Sequence, residues 1–378
     1  MKEAWAGIKT TRRRNREMPA HPLCGPRQGP PLRALCAPSA TAMLPAPQER
    51  SSHPAQEGVI AASCVPSFSS IAQVRVAVVG LGRLGGSLAV ALAHAGAQLV
   101  AVADTRPEMT QWARERLGLS RGDSAPSVLE ASPHVVFLSV PDAAVEQAAA
   151  EIAVRLEVLC SSPSRPAVIH CSGVTSVTAL SPCAAAGSQT LSFHPLQTFS
   201  DAETGAARLR GAAIAVTPGP HGGFELGCML AEALGARPFL LPEERRVLYH
   251  AAACVAANYL VTLEHVAERM FVEAGLPPDN ALDYFLPLVR GAVENVSAQG
   301  TVASLTGPLS RGDVCTIVAH LEVLQQVAPE LDPVYRTLGL ATLDIVRRRP
   351  EVPPETIQAL EQLLEGANYR QAGASRRP

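Results

Sequence analysis

Apolar and β-branched residues form a run at 74–79, which stops at a glycine-rich turn and continues into an Ala/Leu-rich stretch with helical spacing. A second apolar run, 98–103, follows at the distance of a βαβ unit. Continuous apolar runs of this length are typical of strands that are buried on both faces. The pattern therefore predicts a parallel sheet with helices between its strands.

The same alternation continues to about residue 242. Helical spacing recurs at 108–117 and 143–159, and the further strand-like runs are 134–140, 167–170, 212–217 and 237–241. This order predicts a doubly wound parallel α/β sheet, a dinucleotide-binding Rossmann domain over residues 73–242. Ligands of such sheets bind at the carboxyl ends of the strands.

After Pro242 only helical spacing remains. An alanine-rich stretch at 243–275 is followed by helical patterns at 281–297, 311–327 and 332–347. We expect an all-helical domain over 243–349 that closes a substrate cleft and forms a homodimer. Residues 350–378 contain one short helical pattern, 354–364, and a tail.

The first 72 residues show neither the strand nor the helix period. They are rich in proline and carry nine of the 32 basic residues but only four of the 34 acidic ones. Such a segment buries too little apolar surface to offset its ordering entropy, so we expect disorder. The Arg-rich composition also resembles an organellar transit peptide. Alternatively, Met43 is the true start and the preceding residues are dispensable.

The glycine-rich turn reads G-L-G-R-L-G at 80–85. In a dinucleotide site the first glycine allows the tight turn, the second lets the backbone approach the pyrophosphate, and the third lets helix and strand pack closely. The free N–H groups at the helix start then bind the phosphates. The predicted cofactor residues of this loop are Gly80, Gly82, Arg83, Leu84 and Gly85.

The choice between NAD and NADP stays open. Asp104 ends the second strand 24 residues after Gly80, where a carboxylate accepts the ribose hydroxyls and repels a 2′-phosphate, which favours NAD. Arg106 and the loop arginine favour NADP instead. Val140 and Pro141, at the end of the 134–140 strand, complete the predicted cofactor site.

Composition and charge limit the classes of molecule that the chain is expected to bind. The net charge of −2 conceals a mildly acidic folded part, which argues against a nucleic-acid surface. The nine cysteines have no metal-ligand spacing, so we expect no metal site and reduced thiols in a cytoplasmic chain. No charge-free apolar run reaches the roughly 18 residues that span a bilayer. We therefore expect a small-molecule substrate and no membrane partner.

Several motifs together carry a family resemblance: the glycine loop, S-V-P-D at 139–142, H-C-S-G at 170–173, F-H-P-L-Q-T-F at 193–199 and G-P-L-S-R-G-D at 307–313. Over residues 74–345 the chain resembles Rossmann-like oxidoreductases whose C-terminal helical domain has unknown function. These are distant relatives of pyrroline-5-carboxylate reductase and of the 6-phosphogluconate dehydrogenase-like C-terminal fold. The resemblance implies the fold and an NAD(P) cofactor, and leaves the substrate open.

Lysine occurs only at Lys2 and Lys9, so the folded domains cannot use the catalytic lysine of the similar β-hydroxyacid dehydrogenases and ketopantoate reductases. His194 is the first alternative, since the following proline would stop any strand and aim the His194 side chain at the rim, and prephenate dehydrogenases carry a similar His-Pro turn. Imidazole exchanges protons near neutral pH. Ser172 occupies the place of a substrate-positioning serine in that family. The alternative for His194 is a structural role in a loop.

Three further candidates lie after residue 242. His250 and Asn258 are eight residues apart on one predicted helix, close to the same face. If that face points into the cleft, they bind a substrate carbonyl or carboxylate. If it points into the core, they are buried polar groups with hydrogen-bond partners inside the protein. Arg311 clamps a substrate carboxylate or pairs with Asp313. Ser310 or Asp313 is expected to cap the following helix.

These residues predict an NAD(P)-dependent oxidoreductase that moves hydride between nicotinamide and a small carbonyl, imine or alcohol bearing a carboxylate. The assigned catalytic residues are His194, Ser172 and Asn258, with His250 and Arg311 binding substrate. The alternative is a dinucleotide-binding redox sensor or scaffold without turnover.

Overall fold

The computed structural model describes residues 68, 70–119, 124–159 and 165–366. They fall into two compact units, one ending at Leu263 and one beginning at Glu264. The first unit therefore includes about twenty helical residues that the sequence pattern had placed in the second domain. The start-site and transit-peptide alternatives lie outside the described residues.

The first unit is built on one seven-stranded sheet, with strand order β2-β1-β3-β4-β5-β6-β7. The strands are β1 (Arg75–Val79), β2 (Gln98–Ala103), β3 (Val135–Leu138), β4 (Ala167–His170), β5 (Thr190–Pro195), β6 (Ala213–Pro218) and β7 (Arg237–Leu240). Strands β1 to β5 are parallel, as predicted, whereas β6 pairs antiparallel with β5, and β7 follows β6. The carboxyl ends of β1 to β5 therefore form one rim.

Helices cover both faces of this sheet. They are α1 (Arg83–His94), α2 (Pro107–Leu117), α3 (Val145–Val158), α4 (Ser181–Ala185), α5 (Ala202–Leu209), α6 (Phe224–Ala233) and α7 (Arg246–Ala253). Leu88 of α1 and Leu230 of α6 belong to the core on one face, and Ile152 of α3 belongs to the core on the other. Apolar strand residues are buried on both sides, which explains their continuous runs in the sequence.

A five-residue π-helical turn, Cys254–Asn258, joins α7 to α8 (Tyr259–Glu273). The continuous helical stretch Glu243–Glu273 has a mean hydropathy of 1.2, and its apolar window is not buried among the described residues. By length and composition alone it is sufficient to cross a membrane. The expectation of no membrane-spanning segment considered only apolar runs that contain no charged residue. The homodimer through the helical domain stays a prediction.

The second unit contains α9 (Ala281–Ser304), α10 (Val314–Val327), α11 (Asp332–Val346) and α12 (Pro354–Leu364). Gly300 interrupts α9 with a positive φ of 78°. The short helix predicted at 354–364 forms at those bounds. It is not a peripheral tail, because Leu360 and Leu364 are buried in a core with Ile317 and Leu343.

The described residues include a few that precede the predicted boundary at residue 73. Ile71–Gln73 form a helical turn, and the Phe68 ring lies 4.9 Å from that of His134. Cysteines 171, 183, 228 and 254 are free.

Candidate dinucleotide cleft and histidine cluster

The turn between β1 and α1 has the geometry of a glycine-dependent phosphate loop. Gly80 has a φ of +87°, which disfavours any side chain, and a Cβ there would overlap the carbonyl oxygen of Ser139. A Cβ at Gly85 would overlap the carbonyl oxygen of Gly80. At Gly82, the N-cap of α1, nothing lies within 4 Å of an added Cβ. Two glycines therefore serve close packing, and the third faces open space.

This open space belongs to a cleft of about 960 Å³ along the sheet rim. That volume is in the range of sites for small molecules and cofactors. The lining residues named in the sequence-based prediction are Gly80, Gly82, Arg83, Leu84, Asp104, Arg106, Val140, Pro141, Ser172 and His250. All of these residues lie in the first unit.

Asp104 stands at the end of β2 with only 6% of its side chain exposed. Its carboxylate accepts hydrogen bonds from the backbone N–H groups of Leu81 (2.7 Å) and Arg106 (2.9 Å), and it pairs with the Arg106 guanidinium. Burial raises the pKa of Asp104, but these bonds outweigh it and hold the pKa below its usual value. The carboxylate is therefore ionised and braces the glycine loop.

At the opposite end of the cleft, β5 and α7 bring two histidines to the loop after β4. His194 Nδ1 is hydrogen-bonded to the Tyr249 hydroxyl at 2.9 Å, and the rings of His194 and His250 are 6.2 Å apart. A Cβ at Gly173 would lie 2.6 Å from His250 Nδ1 and 2.8 Å from His194 Nε2. The missing side chain of Gly173 therefore lets both imidazoles approach this loop.

The two histidines differ in their access to the cleft. His250 lines it, whereas His194 does not. His250 Nδ1 is buried without a hydrogen-bond partner, and its Nε2 lies 3.7 Å from Cys254 Sγ. A buried ring nitrogen without a partner is uncommon, but this nitrogen is enclosed beside Gly173, so a bound molecule can meet only the part of the ring that lines the cleft. His250 is thus the imidazole best placed to meet a bound molecule.

Ser172 also lines the cleft, but its hydroxyl is occupied by its own turn. It donates to Thr175 Oγ1 at 2.8 Å and accepts from the N–H groups of Val174 and Thr175. These bonds use the hydroxyl proton and both lone pairs. The predicted catalytic serine therefore shapes the loop that carries Gly173.

Arg246, which was not among the residues predicted from the sequence, holds this loop in place by hydrogen bonds. It is only 2% exposed, and it donates to the Ser172 carbonyl (3.3 Å), to Ser192 Oγ (2.9 Å) and to Glu243 (3.3 Å). In the sequence it reads as an ordinary charged residue at a helix start. Only the burial of its guanidinium against β5 shows that it belongs to the site.

Burial and nearby positive charge keep the inner histidines neutral. Burial, and after it the Arg246 guanidinium, lowers the pKa of His170 to about 3. Burial, then His250 and Arg246, lowers the pKa of His194 to about 4, while Asp142 opposes the shift in both residues. A neutral imidazole has one ring nitrogen free to accept a proton or hydrogen bond.

The two remaining site candidates are Asn258 and Arg311. Asn258 is exposed at the end of the π-helical turn and is not a lining residue; that turn breaks the regular helical spacing from His250. Arg311 lies in the second unit. The roles of Asn258 and Arg311 stay predictions. Of the two cap alternatives, Asp313 caps α10 by accepting from the Thr316 N–H.

The neutral histidines make stability depend on pH. The unfolded chain protonates His170 and His194 near pH 6.5, whereas the folded chain protonates them only at about 3 and 4. Their contribution is therefore complete above pH 6.5 and is lost as the pH falls toward 4, at roughly 1.4 kcal/mol per pH unit for each histidine. Urea unfolding at pH 7.5 and pH 5 measures this loss, and His194→Gln should reduce it. Equal stability at both values would contradict the assignment.

Comparisons with known proteins agree with this architecture. Residues 64–195 match the model of a Rossmann-like domain, and residues 213–342 match a domain of unknown function, DUF2520. None of the curated proteins compared with the chain matches it significantly.

Two solved structures share the fold. BF3122 from Bacteroides fragilis, described as a candidate NADP oxidoreductase, is 20% identical with a TM-score of 0.56, and the match covers 71% of this chain and 97% of that one. TM1727 from Thermotoga maritima is 21% identical with a TM-score of 0.51, covering 67% and 91%. The chain thus combines a Rossmann-like domain with a DUF2520 domain, which confirms the resemblance carried by its motifs.

Proposed function

We propose that this chain is an NAD(P)-dependent oxidoreductase that transfers hydride between nicotinamide and a small carbonyl, imine or alcohol bearing a carboxylate. One observation carries the proposal. One cleft within the first unit is lined both by the glycine phosphate loop and by the imidazole of His250. Such a cleft suits a dinucleotide and a proton-exchanging group together.

The residues present fit a dinucleotide. The open space at Gly82 accepts a pyrophosphate against the N–H groups at the start of α1, and a side chain there would fill it. Asp104 and Arg106 stand at the adenosine end, and Val140 and Pro141 line the way toward the loop after β4. When bound, the nicotinamide supplies or accepts the hydride.

The protein's part in the reaction is proton exchange and positioning. His250 contacts the reacting oxygen or nitrogen and exchanges its proton, and His194, held by the Tyr249 hydroxyl, packs beside it. Arg246 fixes the loop through the Ser172 carbonyl. The catalytic assignment of His194 made from sequence stays a prediction, now as the partner of His250.

Titration of the purified full chain with NADH and NADPH tests the proposal through nicotinamide fluorescence. We expect saturable binding of at least one of them. A panel of carbonyl and imine substrates with and without a carboxylate should then give oxidation of the cofactor. Binding without turnover across the panel would favour the redox sensor or scaffold, and the absence of binding would contradict the dinucleotide site itself.

A further inference from the structure

The carboxylate of Asp104 has no capacity left for a ribose. A carboxylate offers about four lone-pair positions. Oδ1 accepts from the backbone N–H of Arg106 (2.9 Å) and from its Nε (3.0 Å), while Oδ2 accepts from the N–H of Leu81 (2.7 Å) and from Arg106 Nη2 (3.1 Å). These four donors saturate the group. Binding a ribose diol would require breaking one of these bonds.

The Arg106 guanidinium, in contrast, has donors to spare. It has five N–H groups, of which the bidentate pair with Asp104 uses two. The side chain lines the cleft and is 49% exposed. The pair also holds the guanidinium plane in place, which reduces the entropy lost when a further anion binds.

The charges that line the cleft are mixed. Arg83 and Arg106 are its two arginines, and Asp104, Asp142 and Glu151 are its carboxylates. Glu108, in the first turn of α2, also acts on Arg106 but is not a lining residue. Anion binding at Arg106 is therefore argued from its free donors and not from the net charge of the cleft.

We propose that the cleft selects NADP(H) over NAD(H), with Arg106 binding the 2′-phosphate and Asp104 acting as a brace for Arg106 and the glycine loop. This inference rests on the proposed function and reverses the preference that the carboxylate alone suggested. An arginine–phosphate pair is worth about 1.5–3 kcal/mol, or roughly 10–100-fold in affinity.

Competition with adenosine 2′,5′-bisphosphate and with ADP isolates the 2′-phosphate from the nicotinamide. We expect the full chain to bind the 2′-phosphorylated ligand and NADPH about 10–100-fold more tightly than ADP and NADH. Arg106→Ala and Arg106→Gln should abolish or reverse this difference, because NADPH loses its phosphate partner while two acceptor positions of Asp104 become free for the ribose of NADH. Arg114→Ala, on the exposed face of the same helix, is the matched control and should keep it.

Asp104→Asn separates a brace from a ribose acceptor. As a brace, Asp104 holds both the glycine loop and Arg106, so the variant should weaken NADH through the loop, weaken NADPH at least as much, and lower the melting temperature. Selective loss of NADH affinity would overturn the inference, as would tighter binding of NADH than of NADPH by the wild type. Failure to bind either nucleotide would instead contradict the proposed function.

Discussion

Gly82→Val is expected to abolish dinucleotide binding while the chain keeps its fold. Nothing lies within 4 Å of a Cβ at this position, so the valine enters open space of the cleft and strains no neighbour. That same space is where the backbone must approach the pyrophosphate. Overpacking of this kind costs about 1–3 kcal/mol or more, so affinity should fall at least ~10–100-fold. Fluorescence titration and thermal unfolding measure the two effects separately.

Gly85→Ala is the matched control for this prediction. Its Cβ would overlap the carbonyl oxygen of Gly80, which is backbone and cannot move aside cheaply. We therefore expect Gly85→Ala to lower the melting temperature, in contrast to Gly82→Val. If Gly82→Val binds NADH and NADPH like the wild type, the nucleotide site lies elsewhere in the molecule.

The sequence predicted the first βαβ unit closely because its signals are local. The apolar run, the glycines and the acid at the end of β2 each report on neighbours within about thirty residues of chain. Strand β5 was missed, although His194 lies on it. Its alternation of Leu191 and Phe193 with polar residues is short, and its polar face is buried against Arg246 of α7 rather than exposed to solvent.

The site was predictable only in part, because several of its contacts join residues that are far apart in the sequence. Asp104 was correctly placed at the strand end, but the saturation of its carboxylate depends on Leu81 and Arg106, which its position in the sequence cannot show. The role of Arg246 depends on contacts 54 and 74 residues away along the chain. Helical spacing also failed across the π-helical turn, where regular 100° steps no longer relate Asn258 to His250.

Gly173→Ala should remove most of the activity without unfolding the protein. The added Cβ would lie 2.6 Å from His250 Nδ1 and 2.8 Å from His194 Nε2, which are the ends of side chains that turn away at moderate cost. The φ of Gly173 is not in the left-handed region, so alanine suits the backbone. Loss of a positioned acid–base group costs about 10²–10⁴-fold in rate, and we expect kcat to fall in that range.

Cofactor affinity should stay close to the wild-type value in Gly173→Ala because the glycine loop is not touched, and the melting temperature should fall only moderately because the groups that must move are side chains. Gly291→Ala is the control, because nothing lies within 4 Å of a Cβ there and its turnover should not change. Histidine resonances followed by NMR supply a readout that is independent of substrate, and those of His194 and His250 should shift in Gly173→Ala alone. If the resonances shift but turnover stays at the wild-type level, the two imidazoles do not exchange the proton. The acid–base group would then lie elsewhere along the cleft.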